Sequence, residues 1–339
     1  MQRRTAGLES LVAPIDVARA ALLRAAAGPQ LARFVRDRDA RITAIAIVAV
    51  VAAFVGAAVA PIWLLALGPI ALGVPHLVAD VRYLVARKGL HRELRLLPAV
   101  APLVGVCFTS GVLTGLLSVP LAVLAVRGAW RRKTIALLLW GAVYVAAIAA
   151  GQVGDLLFVH AHNVVAVAIW WRMRKQRPGL HALVLVVYAL AALAIFGGLA
   201  ESIMRASGGA HARLPLSLDA MVTAIAPALA PALAVRVVLF YAFAQSVHYA
   251  VWVRLIPEDD RDRPAPRSFA SSLRALRGDL GGALVVASVT LAFALASWAV
   301  VDLLAARNGY LRAAQFHGHL ELAAVAFLWV RGGASGEPR

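Results

Sequence analysis

The chain has 339 residues, 62% of them hydrophobic and only 15% charged, with a mean hydropathy of +0.80 and a formal net charge of +17. No soluble domain hides that much apolar surface, so a soluble globular protein is excluded and an all-α, polytopic integral-membrane helical bundle is expected. The charge does not describe a nucleic-acid binder, because the basic residues fall into short clusters between hydrophobic spans, as cytoplasmic loops do.

Residues 1–41 carry eight arginines among Leu, Val and Ala, which reads as an amphipathic surface helix or a solvated tail. Ala58–Ala60 mimics a signal-peptidase site. The basic region before it is far longer than a signal peptide has, so Ile42–Ala60 is expected to be a retained first span. A hydrocarbon core of ~30 Å takes ~20 apolar residues per helix. On that measure the later spans are Ile62–Leu84, Leu96–Ser110, Leu113–Val126, Thr134–Ala150 and Asp155–Trp171, then Leu180–Ala200, Val235–Val253, Leu280–Leu304 and Tyr310–Val330. Leu96–Ser110 and Leu113–Val126 are short enough to form one helix on length alone. Charge separates them: Arg82–Arg95 and Arg127–Lys133 both belong inside, so an even number of crossings lies between. The expected count is about ten spans (eight to ten), with both termini cytoplasmic and a bacterial-type inner membrane as the location. Residues 220–231 are apolar but proline-broken, which suits a re-entrant or surface segment. Asp302–Arg312 falls outside, and Glu258–Arg277 is the one substantial soluble insertion. The domains are thus a basic segment over 1–41, a single transmembrane domain over 42–331 and a tail over 332–339, with no internal repeat.

Six of the nine histidines interrupt these apolar spans: His76, His160, His162, His248, His317 and His319. Ionisable side chains inside a bilayer are costly and mark functional sites by default. The single Cys107 rules out a cysteine-held metal, so imidazole, carboxylate or water must supply the ligands. Counting ~1.5 Å per residue, His76 and His248 lie roughly 9 Å deep, His160 and His162 about 15–18 Å, and His317 and His319 about 18–21 Å. Helix tilts of ~20° bring such levels together. Residues two apart on a helix point to nearly opposite sides. One member of each of the pairs His160/His162 and His317/His319 is therefore expected to ligate while the other hydrogen-bonds, unless the backbone bends. Asp80 and Glu321, each four residues after a histidine, and Asn163 beside His162 are candidates for orienting imidazoles or, for the carboxylates, for ligating. Tyr241 and Gln245 share a face with His248 and are candidates for the reaction side of the site. His91, His181 and His211 fall in loops and read as surface residues, and Arg236 reads as snorkelling.

Gly73–Asp80, GVPHLVAD, resembles the Gly-x-Pro-His-x-x-x-Asp signature of the Brp/Blh family, and Phe240–Trp252, FYAFAQSVHYAVW, resembles a later segment of it. Family members usually have Gly directly after the motif His, where Leu77 stands here, and paired histidines in the later segment, where Ala244 and His248 stand. The resemblance implies an integral-membrane dioxygenase that cleaves β-carotene to retinal with histidine-bound, non-haem Fe(II) and O₂ as co-substrate, and it carries over His76 and His248. Neutral imidazoles suit Fe(II) and leave positions open for O₂. A lipophilic polyene or lipid would enter from the bilayer. The alternatives are a lipid desaturase or hydroxylase with histidine boxes, and a non-enzymatic haem or quinone electron carrier or proton-coupled transporter. Oligomeric state is not encoded in these patterns.

Overall fold

The computed structural model describes residues 6–26, 28, 34–109, 111–173, 177–210, 214–260 and 267–332; His211 lies outside them. Among the described residues there is no strand, and helices run almost without pause. In chain order they are α1 (Ala6–Ala26), α2 (Arg38–Val59), α3 (Pro61–Asp80), α4 (Leu97–Thr109), α5 (Val112–Leu116) and α6 (Ser118–Ala125). Then come α7 (Trp130–Ala150), α8 (Gln152–Met173), α9 (Pro178–Phe196), α10 (Leu199–Ala206), α11 (Leu218–Ile225) and α12 (Pro231–Ala250). The last are α13 (Ile256–Asp259), α14 (Phe269–Leu280), α15 (Gly282–Val301), α16 (Leu303–Ala313) and α17 (Phe316–Arg331). Wide, π-helical turns continue α3 over Val81–Ala86 and α12 over Val251–Leu255.

Among the described residues, seven helices are long and apolar enough to cross a membrane: α2, α3, α7, α8, α9, α12 and α15. The other three expected spans correspond to shorter elements. Leu96–Ser110 coincides with the 13 residues of α4, Leu113–Val126 is split into α5 and α6, and Tyr310–Val330 breaks at Ala314–Gln315 between α16 and α17. Residues 220–231 hold all but the first two residues of α11, and a turn.

The bundle has a clear inside. Helix α12 is its axis, two thirds buried, whereas α7 and α15 turn large apolar side chains such as Leu138, Val145, Val289 and Phe293 outward. Such an outer surface suits hydrocarbon rather than water. Helices α2, α3, α8 and α9 pack around α12, and α17 closes the other side against α6 and α4.

The N-terminal helix is attached to this frame through α14. The Asp16 carboxylate accepts from the Phe269 and Ala270 backbone N–H groups at 2.7 and 3.0 Å, capping α14, and Arg19 donates to the Arg267 carbonyl at 2.9 Å. Arg82 in turn ties α14 to the bundle through Asp279 at 2.7 Å. His181 is not at the surface as expected. It is fully buried, with Nδ1 3.1 Å from the Thr43 hydroxyl and Nε2 3.6 Å from Asp39. Arg236 does not snorkel freely but donates to Glu201 at 3.1 Å and to the Phe196 carbonyl at 2.9 Å.

Candidate metal centre

Four of the six intramembrane histidines meet. His76 on α3, His162 on α8, His248 on α12 and His317 on α17 line one cavity of about 290 Å³. Ring centroids are 5.3 Å apart for His76–His248, 4.9 Å for His76–His317 and 5.7 Å for His248–His317. His162 adds 5.2 Å to both His248 and His317. One ligand atom each from His76, His248 and His317 lies within 4.8 Å of the others, a spacing that a single ion can bridge. His76 and His248 are 1% exposed, so these nitrogens are withdrawn from bulk water.

The hydrogen bonds decide which nitrogens remain available. A carbonyl oxygen only accepts, so His162 Nδ1, 2.8 Å from the Val159 carbonyl, and His317 Nδ1, 2.5 Å from that of Ala314, must both carry the proton. The lone pair of each neutral ring then sits on Nε2. His76 Nδ1 lies 3.3 Å from the Tyr310 hydroxyl. His76 Nε2, His317 Nε2 and both nitrogens of His248 are buried with no hydrogen-bond partner. Orphaned nitrogens in such number are rare in a folded interior and call for a ligand. A metal ion supplies one, and an all-imidazole donor set suits Fe(II), Zn(II) or Cu(II).

His160 and His319 do not join this cluster of rings, although His319 also lines the cavity. His160 is turned toward α11, where Nε2–H donates to the Ile225 carbonyl at 3.1 Å. Both nitrogens of His319 face carbonyl oxygens, of Gln315 at 3.0 Å and Val112 at 3.2 Å, while its ring stacks on Phe158 at 4.3 Å. Gly115 makes room for that ring, since a Cβ there would overlap it.

The expected orienting residues do other things. Neither Asp80 nor Glu321 bonds an imidazole: the two Asp80 oxygens have no partner, and Glu321 Oε1 accepts from Trp252 Nε1 at 2.9 Å while Oε2 has none. Both carboxyl groups are fully buried. They lost the orienting role because the Nδ1 atoms of His162 and His317 are held by the backbone and that of His76 by Tyr310. Asn163 shares the Val159 carbonyl with His162, donating to it at 3.3 Å, and leaves its own Oδ1 unpartnered. Tyr241 and Gln245 do line the cavity, with Gln245 Nε2 3.5 Å from the Tyr241 hydroxyl.

The cavity residues not singled out from the sequence include Tyr249, Tyr310 and Arg307. Tyr249 directly follows His248, and its ring lies 4.8 Å from that of His76. Tyr310 and Arg307 sit in a polar stretch assigned to an outer loop, where nothing distinguishes them until α16 is seen to fold inward. Compared with known proteins, the chain matches no family model, and no curated protein or solved structure matches it.

Proposed function

We propose that this chain is a bacterial inner-membrane, histidine-metal oxygenase that acts on a lipophilic polyene of the carotenoid class, as a distant relative of the Brp/Blh family. The observation that carries the reading is the convergence of four imidazoles from four helices on one cavity, with buried nitrogens free to ligate. His76, His248 and His317 would hold the ion, with His162 as a fourth ligand. Bound iron(II) would supply the electrons that let O₂ react with a polyene. The protein's own part is to fix the tautomer of the His162 and His317 rings through the Val159 and Ala314 carbonyls, to set Tyr241 and Gln245 beside the reacting chain, and to exclude water. A desaturase-type centre would call for about twice as many ligating histidines as converge here.

One observation favours a second reading. The buried, largely unpartnered Asp80 and Glu321 are what a proton-coupled transporter would use.

Metal analysis and an absorption spectrum of detergent-purified protein, followed by incubation with carotenoid and O₂, test the choice. Stoichiometric iron without a haem spectrum, plus aldehyde product, is expected. Metal-free protein that moves protons in vesicles, or a haem spectrum, would overturn the oxygenase.

A further inference from the structure

Arg307 is buried on α16 and lines the same cavity as the four imidazoles. Its Nε–H donates to the Leu65 carbonyl at 2.7 Å, Nη1 to Asn308 Oδ1 at 2.9 Å and Nη2 to the Met221 sulfur at 3.7 Å. The first bond has a structural reason. Pro69 has no N–H, so the Leu65 carbonyl four residues earlier loses its helical donor and Arg307 replaces it. A neutral donor would serve that purpose equally well.

The charge itself is unanswered. No carboxylate pairs with Arg307 among the described residues, and its electrostatic neighbours are the hydroxyls of Tyr241 and Tyr249. Burying a guanidinium without a counter-ion is costly, so a fixed cation facing a cavity points to an anion brought by the ligand. Of the five N–H donors of a guanidinium, one on Nη1 and one on Nη2 remain unused by the three bonds above. A two-pronged donor of this kind matches a carboxylate. One positive charge answers one carboxylate, whereas a phosphate monoester would bring excess negative charge into a cavity that already holds the Asp155 carboxylate, bonded to the Val112 N–H at 2.9 Å, and apolar residues such as Val106, Ile225 and Leu311. The cation and the imidazoles are close along the chain. Tyr310, three residues after Arg307 and on the same helical face, reaches His76 with its hydroxyl at 3.3 Å.

We propose that Arg307 receives the carboxylate of an apolar-chain acid, so that the substrate is a polyene or long-chain carboxylic acid rather than a hydrocarbon carotene. This deepens the oxygenase reading and rests on it in taking the cavity as the substrate site.

The test is equilibrium binding, by tryptophan quenching in nanodiscs of neutral lipid, of three probes: retinoic acid, its methyl ester and a monoalkyl phosphate. Wild-type protein should prefer the acid over the ester by about tenfold or more, as charge-assisted hydrogen bonds allow. Arg307→Gln should erase the preference, and Arg307→Lys should keep part of it. Arg205→Gln, which removes an equal charge from an exposed site, should leave it intact. Equal binding of acid and ester, or a preference that survives in Arg307→Gln, overturns the proposal; stronger binding of the phosphate overturns the choice of carboxylate. Metal content measured on the same samples separates the two readings. Acid preference without metal sinks only the metal centre, and metal without acid preference sinks only the Arg307 site.

Discussion

At the scale of single residues, the site is selected by backbone carbonyls. The two-residue spacing of His160/His162 and His317/His319 says that a regular helix presents only one of each pair to a common point, but not which one. The choice falls to the carbonyls of Val159 and Ala314, which bind Nδ1 of His162 and His317 and leave the lone pair of each ring on Nε2. His162→Ala should therefore lower bound metal about tenfold or more, on the scale of lost first- or outer-sphere interactions, whereas His160→Ala should leave metal content unchanged; metal analysis of the two purified variants decides it. The motif glycine has its own reason. A Cβ on Gly73 would stand inside the Tyr310 ring, whose hydroxyl meets His76. Gly73→Ala should cost about 1–3 kcal/mol by overpacking and also weaken metal binding. A thermal shift with metal retention intact would show that Tyr310 gives way without disturbing His76. The identities of these histidines were thus legible as a set, because ionisable groups in apolar runs stand out. Tyr310 and Arg307 were not, because a polar connection and a buried polar helix have the same composition.

At the scale of elements, length and hydropathy placed the long helices well, since ~20 consecutive apolar residues have few other uses. The shorter helices are less decisively read from length. The α4–α6 region and α17 pack against one another, so they need not satisfy the full bilayer thickness by themselves. The π-helical turns after Asp80 and after Ala250 were also invisible, since no residue type encodes them; such turns cluster at functional sites, and here both continue histidine-bearing helices. Helix α10 is joined to α12 by charge: Glu201 takes Arg236 at 3.1 Å and Arg205 at 2.5 Å. The hydrogen bond from Arg236, then that from Arg205, holds the Glu201 carboxyl below its ordinary range. A depressed value in the folded state means stability that is present above the ordinary glutamate range and lost as pH falls through the folded value. With its arginines partly in solvent the clamp is worth on the order of 1 kcal/mol. The stability difference between wild type and Glu201→Gln, followed by thermal melts in detergent, should be steady near neutrality and vanish in acid. A difference that grows as pH falls would reverse the sign and remove the clamp.

At the scale of the whole molecule, the bundle buries polar side chains outside the histidine cavity as well as inside it. One such group is a knot where α2, α9 and α13 meet, built from Asp39, Arg41, Thr43, His181 and Glu258. Its closest ion pair joins the two ends of the chain's central pairing: Arg41 Nη2 lies 2.6 Å from Glu258 Oε1, and Arg254 approaches the second oxygen at 3.6 Å. The sequence offered Arg41 as the last of a basic tail and Glu258 as the first residue of a soluble loop, so composition argued for two solvated charges. Folding makes them partners because α2 and α12 pack side by side along their length, carrying the start of one helix to the end of the other. The energetics of such a pair are asymmetric. Taking both charges out of water consumes most of what their attraction returns, but removing one partner leaves the other buried and unanswered. Glu258→Ala should accordingly cost about 3–5 kcal/mol, seen as a large loss of thermal stability with metal content unchanged in the fraction that remains folded. The double variant Arg41→Met with Glu258→Leu should recover much of that loss, because it empties the knot of both charges at nearly constant volume. If the double variant is as unstable as the sum of its parts, the pair is not the unit that holds α2 to α12, and Asp39, His181 and Arg254 must carry the contact instead.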